Sequence, residues 1–190
     1  MPTGNNTIFF IHPNKIPAHK KVIYGRLVVD IRTLKDEKYC ARITVGGNKL
    51  DFCGDDSSVA ASLATVKLLL NSVVSTKDEK FTTVDIKDFF YAYSLPDPEY
   101  MKMKLKIFPH EIINQYQLQD MEENGLVYMK IVKGILGLKQ SARLANERIV
   151  HHLALYGYAP VQHTPYIWKH EYNRILFSLV VDDFGTKPTS

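Results

Sequence analysis

Three aspartates stand at the ends of apolar runs. Asp85 closes Phe81-Thr82-Thr83-Val84, and Asp182-Asp183 close Leu176-Phe177-Ser178-Leu179-Val180-Val181. A carboxylate at the end of a buried strand is costly unless it is solvated, paired or bound to a cation. Adjacent aspartates in a tight turn also repel each other, and a divalent cation removes that repulsion. Mg²⁺ prefers oxygen ligands, keeps several waters, and is usually held by one or two carboxylates together with substrate phosphates. Three aspartates from two strands therefore suit the metal pair used in phosphoryl or nucleotidyl transfer. They equally suit a plain reading, in which Asp182-Asp183 form a solvated β-turn and Asp85 caps the segment after it. Position and composition leave the two readings open.

The elements that must hold these acids can be read from periodicity. Phe81 to Ile86 predicts a buried strand ending in an acid, and Ile175 to Val181 a strand running into Asp182-Asp183. Apolar residues at Val59, Leu63, Val66, Leu70 and Val73 predict a helix over 58–74, with Asp55-Asp56-Ser57 as its caps. A second helix is expected from Ser141 to Tyr156, with a stripe through Ala142, Ala145, Ile149, Leu153 and Tyr156 and a stop at Gly157. Tyr24–Ile31 and Tyr39–Val45 read as strands, and Gly46-Gly47-Asn48 as a hairpin turn into Lys49–Phe52. Met101 to Ile107 alternates, with Met101, Met103, Leu105 and Ile107 on one face and Lys102, Lys104 and Lys106 on the other. Pro109 begins a short helical segment, and an acidic loop from Asp120 to Gly125 leads to a strand over Leu126–Val132. Residues 1–21 show little periodicity and are expected to be an irregular lead-in, with residues 22–190 forming one unit.

The chain has 190 residues, with basic side chains exceeding acidic ones by four. That balance permits a polyanionic partner without demanding one. Cys40 and Cys53 are thirteen positions apart and complete no zinc pattern with histidine, so two reduced core thiols are expected. His151-His152, His163 and His170 show no partner pattern and read as structural. No stretch approaches a membrane span, and the apolar Ile8–Ile11 is too short for a signal peptide. A soluble, intracellular protein without a membrane partner is expected.

The surroundings of the acids add a resemblance. Val84-Asp85-Ile86-Lys87-Asp88-Phe89-Phe90, followed by Glu99-Tyr100-Met101-Lys102, resembles the first palm motif of copia-type retrotransposon reverse transcriptases. Lys133-Gly134-Ile135-Leu136-Gly137-Leu138-Lys139-Gln140-Ser141-Ala142-Arg143 resembles their second motif, and Val180-Val181-Asp182-Asp183-Phe184 their third. Gly157-Tyr158 and Tyr166-Ile167-Trp168 fall between the second and third in the same pattern. The likeness runs from about Tyr24 to Gly185, and its strength lies in three motifs in order.

The resemblance implies an α+β fold: a right-hand polymerase palm, its antiparallel sheet backed by helices, with β-rich fingers over roughly 22–80 that recur between the first and second motifs. It implies an RNA-directed DNA polymerase acting on an RNA or DNA template with primer and on dNTPs. Two Mg²⁺ ions, with Mn²⁺ as a substitute, would be held mainly by Asp85 and Asp182, with Asp183 and the carbonyl of Ile86 assisting. Phe90 takes the place of an aromatic gate that excludes a 2′-hydroxyl. Gln140 matches a nucleotide-contacting glutamine, with Gly137 and Ser141 admitting close backbone approach to substrate. Arg42 and Lys67 are candidate triphosphate contacts, and Lys102, Lys104 and Lys106 candidate template-primer contacts, although exposed strand or helix faces account for them equally.

The pattern is not uniform. Phe89 stands where the family more often has a small residue, and Val180 where many relatives have tyrosine. The thumb, primer grip and RNase H region of the family are not in the sequence. The return strand after Asp183 is expected to be a stub, Phe184 to Lys187, leaving an unpaired edge. Two functions are therefore weighed against the polymerase. One is a truncated, catalytically inactive retroelement remnant that binds nucleic acid. The other is a metal-dependent nuclease, for which no distinct water-activating base is evident. By the resemblance, the location is a cytoplasmic particle or the nucleus.

Overall fold

The computed structural model describes residues 5–33, 38–50, 61–164 and 166–188, and over these the chain is mixed α+β. Asp51-Phe52 of the expected Lys49–Phe52 strand, Cys53, Asp55-Asp56-Ser57 and Val59 lie outside the described residues. In chain order come β1 (Ile8–Ile11), β2 (Val22–Ile31), β3 (Tyr39–Val45), α1 (Leu63–Val74), β4 (Thr82–Asp85) and β5 (Ser94–Lys104). They are followed by α2 (His110–Gln115), α3 (Leu118–Met121), β6 (Leu126–Lys133), α4 (Lys139–Leu155), β7 (Tyr158–Pro160), β8 (Ile167–His170), β9 (Ile175–Val180) and β10 (Asp183–Pro188). Two units divide the chain, one of residues 1–55 and 90–141, the other of residues 56–89 and 142–190.

The first unit is built on a five-stranded sheet in the order β1-β6-β5-β2-β3, antiparallel except for the β2–β5 pair. Alternation puts Met101 and Met103 of β5 and Val127, Met129 and Ile131 of β6 on one face, and all five are buried. Ile113 and Leu118, from α2 and α3, join Val127 in a core that Phe10, Phe108 and Ile112 extend.

Three expectations fail in this unit for identifiable reasons. The alternation from Met101 stops at Lys104, the last residue paired with β6. Leu105 instead donates its N–H to the Gly125 carbonyl at 2.9 Å, and Leu105–Ile107 is a 3₁₀ turn, so Lys106 does not continue the face of Lys102 and Lys104. The lead-in is not irregular throughout. Residues 8–11 form β1 because β6 supplies a ladder and Phe10 packs against the rings of Phe108 and Tyr116, at 5.6 and 5.0 Å between centroids.

Gly46-Gly47-Asn48, the third case, does not turn a hairpin. β3 pairs with β2, Gly47–Lys49 is a 3₁₀ turn, and Val45 donates its N–H to the Leu136 carbonyl at 2.9 Å. Backbone meets backbone here. A Cβ on Gly47 would lie 2.0 Å from the Gly137 carbonyl oxygen, and one on Gly137 would lie 2.0 Å from that of Val45.

The second unit carries an antiparallel sheet in the order β4-β10-β9-β8-β7. α1 is capped by Ser62, whose Oγ accepts from the Thr65 N–H at 3.1 Å. Its buried residue is Leu69, flanked by the half-buried Val66 and Val73, whereas Leu63 and Leu70 of the expected stripe are exposed. The sheet covers one side of this helix only, through β9 and β10. Lys187 of β10 is buried against it, its Nζ donating to the Ser72 carbonyl at 3.1 Å. α4 buries Ala145, Ile149 and Leu153 as its stripe predicts, while Ala142 is half-buried and Tyr156 is exposed. Gly157, at φ +77°, ends the helix in the left-handed conformation that glycine adopts without strain. The ring of Phe177 lies within 5.5 Å of Tyr158 and Phe184 and parallel to Trp168.

Two further expectations are corrected here. β4 is exposed at all four positions rather than buried, because it is the sheet's edge strand. β10 is not a stub; it runs six residues and pairs with both β4 and β9, so on that side the sheet ends at β4. No helix among the described residues is long and apolar enough to cross a membrane.

Candidate functional site

The three aspartates gather at one end of the second unit's sheet. β9 and β10 form a hairpin in which Val180 pairs with Asp183, leaving Val181-Asp182 as a two-residue loop. Val181 has φ +61°, and Asp182 does not share the positive φ. A positive φ at the first loop position alone belongs to the type II′ turn, whose twist suits a hairpin. Glycine is the usual occupant, so a β-branched residue there stores strain, on the order of 1–3 kcal/mol. Asp183 is also the register partner of Asp85 on β4, and the Ile86 N–H donates to the Asp182 carbonyl at 3.1 Å. Directly paired residues of antiparallel strands project from the same face. Asp85 and Asp183 are therefore neighbours on one face, with Asp182 in the turn beside them.

Asp85 and Asp183 are exposed and Asp182 is half-buried. Burial pushes the Asp182 carboxyl above the usual aspartate range. A hydrogen bond from its own backbone opposes this, while the negative charges of Asp183 and Asp85 push it further up. Excess negative charge is thus concentrated where a cation would relieve it.

Among the described residues, no group of three or more His, Cys, Asp or Glu side chains is close enough to hold a metal ion. The acids are not a preassembled cage. Mg²⁺ does not need one, since it retains waters and shares one or two carboxylates with substrate phosphates. The donor chemistry at Asp85, Asp182 and Asp183 fits that mode of binding, and the Ile86 N–H ties the end of β4 to the turn.

The second motif is placed in the first unit as far as Ser141. Ser141 is buried, and its Oγ accepts from the Ile135 N–H at 3.0 Å, closing the loop before α4. Gly134 donates its N–H to the Tyr93 carbonyl at 2.9 Å, and a Cβ on it would meet the Phe90 carbonyl oxygen at 2.5 Å. The chain just after the first motif is thus packed directly against the second. Gly137, expected to admit substrate, admits the Val45 backbone instead, at φ +96°. Phe89 and Phe90 lie in a 3₁₀ turn. Phe89 is buried in the second unit and Phe90 half-buried in the first.

Gln140 is buried. Its Nε2 donates to Glu99 Oε1 at 3.2 Å, and its own Oε1 is buried without a hydrogen-bond partner among the described residues. Glu99 also faces Lys20, whose Nζ lies 3.7 Å from its Oε2 and 2.5 Å from Asp97 Oδ2. No sequence pattern gives Glu99 or Lys20 a role at Gln140, because the three are distant in the chain and share no periodicity.

The candidate basic contacts separate. Lys67 is exposed on α1 in the second unit, and Arg42 is exposed on β3 in the first, paired with Val28. Lys102 is flanked in register by Tyr24 of β2 and Tyr128 of β6, its Nζ 5.0 and 6.0 Å from their ring centroids. Alternation puts Arg26, Lys104 and Lys130 on the same face as these three residues. Tyr24, Arg26, Arg42 and Lys104 are exposed there. The face interleaves cations with aromatic rings, a combination suited to phosphate contact and base stacking. Neither tyrosine stands out from sequence, because only the strand register brings them to Lys102.

Of the histidines, His170 Nδ1 accepts from the N–H groups of Tyr172 and Asn173 at 3.0 and 2.9 Å, the structural role expected of it. Comparison with known protein families, curated proteins and solved structures finds no match to this chain.

Proposed function

We propose that this chain is the fingers and palm portion of an RNA-directed DNA polymerase, using Asp85, Asp182 and Asp183 for two-metal nucleotidyl transfer onto a primer 3′-end. The observation that supports it most is the pairing of Asp85 with Asp183 beside a strained Val181-Asp182 turn, with burial and then the charges of Asp183 and Asp85 pushing the Asp182 carboxyl up. Carboxylates placed in this way are expensive for a structural turn and useful for a cation. The resemblance of the three motifs to copia-type reverse transcriptases supplies the reaction class.

In this reading Asp85, Asp182 and Asp183 would hold Mg²⁺, which would supply activation of the primer hydroxyl and neutralisation of charge on the triphosphate. The chain's own contribution is to fix the carboxylates. The β4–β10 register sets Asp85 against Asp183, and the Ile86–Asp182 hydrogen bond holds the turn to the neighbouring strand. By the resemblance, Phe90 is the residue that would exclude a 2′-hydroxyl and Gln140 the one that would contact the nucleotide. The test is primer extension on an RNA template with Mg²⁺. Loss of extension in Asp85→Ala and Asp182→Ala is the expected result, and undiminished extension refutes the reading.

The basic and aromatic face around Tyr24, Lys102 and Tyr128 favours a second reading, a nucleic-acid-binding remnant without catalysis. Tight template-primer binding with no Mg²⁺-dependent extension would select it.

A further inference from the structure

The cluster of Lys20, Asp97, Glu99 and Gln140 has a directional logic that the proposed reaction does not by itself explain. A glutamine amide has two ends of nearly the same shape and opposite hydrogen-bonding character, and only its surroundings decide which end points where. An ionised carboxylate accepts and cannot donate. Glu99 Oε1 therefore takes the Gln140 amide N–H, at 3.2 Å, and leaves Gln140 Oε1 as a buried acceptor without a donor among the described residues. The other carboxylate oxygen, Oε2, faces Lys20 Nζ at 3.7 Å, and Asp97 holds that ammonium from the solvent side. Among the described residues each oxygen of Glu99 faces one partner, and both partners are donors. Burial pushes the Glu99 carboxyl up and the Lys20 charge opposes this, so Lys20 helps keep Glu99 the acceptor that the arrangement needs. Buried polar groups in folded proteins are almost always satisfied, so an orphaned acceptor on an otherwise anchored side chain calls for an explanation, and the donor of a ligand is one.

We propose that Glu99, held by Lys20, is a positioning residue for Gln140: it fixes the amide so that its oxygen, not its nitrogen, is offered to a hydrogen-bond donor on the incoming deoxynucleotide. The proposal rests on the reading of Gln140 as a nucleotide contact, and it adds the device that sets the polarity of that contact. Nothing in the arrangement requires Glu99 to touch the nucleotide.

The test is a double-substitution cycle on the full chain, with the dissociation constant for dATP measured by titration in the presence of Mg²⁺. The side-chain amide resonances of Gln140 are followed in ¹⁵N-labelled protein alongside. Glu99→Gln keeps the shape but supplies both a donor and an acceptor, so it no longer dictates the amide's orientation. It should weaken dATP binding about tenfold, the effect of losing one charge-assisted contact. It should also shift the Gln140 amide protons while leaving the melting midpoint near that of the parent. In a Gln140→Ala background, Glu99→Gln should have no further effect on dATP. Equal losses in both backgrounds, or unmoved Gln140 resonances in Glu99→Gln, overturn the proposal. Lys20→Met should change the same two readouts in the same direction, by less. If the parent chain binds no dATP but Glu99→Gln still moves the Gln140 amide resonances, the orienting contact stands and the polymerase reading fails.

Discussion

Asp183 lies directly opposite Asp85 in the antiparallel register of β10 and β4, two like charges on one face of an edge pair. Like charges directly opposite each other destabilise a sheet by up to about 1 kcal/mol. Asp85→Asn should therefore raise the melting midpoint in EDTA by about 1–3 °C, and the gain should shrink or reverse in millimolar Mg²⁺. Differential scanning fluorimetry with and without the cation measures both. A gain independent of Mg²⁺ would count against a shared metal.

Asp182 gives the site a pH signature. Its carboxyl ionises at higher pH in the folded chain than in the unfolded one, because burial and the neighbouring aspartates disfavour the charged form. Between the ordinary value of 3.8 and that raised value, the native state holds a proton that the unfolded chain has released. Stability from this group is therefore full below 3.8 and is lost as pH rises through the folded value. Urea midpoints across that window should fall less steeply in Asp182→Asn than in the parent. Glu99, also raised by burial, keeps part of the slope in both.

Val181→Gly replaces a β-branched residue at φ +61° with one that occupies that region freely. Relief of the turn, offset by the extra freedom of glycine in the unfolded chain, should leave a net stabilisation of about 1 kcal/mol. Urea unfolding reads it directly. Primer extension by the same variant should fall, since the turn fixes Asp182.

Gly137 and Gly125 make a controlled pair. Both have positive φ, but a Cβ on Gly137 meets the Val45 carbonyl oxygen at 2.0 Å, whereas one on Gly125 meets nothing within 4 Å. Gly125→Ala should cost about 1 kcal/mol from backbone conformation alone. Gly137→Ala should cost about 3 kcal/mol or more, because two backbones must separate. Equal losses would show that the β3 contact is not tight.

The face around Lys102 should bind single-stranded nucleic acid. Tyr24→Ala removes a ring that could stack a base and should weaken oligonucleotide binding about tenfold. Lys104→Ala should flatten the dependence of log K on log salt by about one unit. Fluorescence anisotropy at several ionic strengths separates the two effects.

Sequence alone located the candidate acids and most of the elements. Strand ends put Asp85, Asp182 and Asp183 in view, α4 was legible because Ala145, Ile149 and Leu153 recur at helical spacing, and β9 because an apolar run stops at an acid. These features are local, and local patterning is what periodicity reports. Features that depend on long-range partners were not legible. β1 exists because β6 offers it a ladder, β4 is exposed because the sheet ends there, and Leu105 leaves β5 because its pairing partner runs out. The same holds at the sites. The sequence named the three aspartates and Gln140, but only the β4–β10 register decided that Asp183 faces Asp85. Only the packing of β5 against the start of α4 put Glu99 beside Gln140. Hydrogen-bond partners forty or a hundred residues apart leave no periodic trace in a chain, and tertiary structure is where they are chosen.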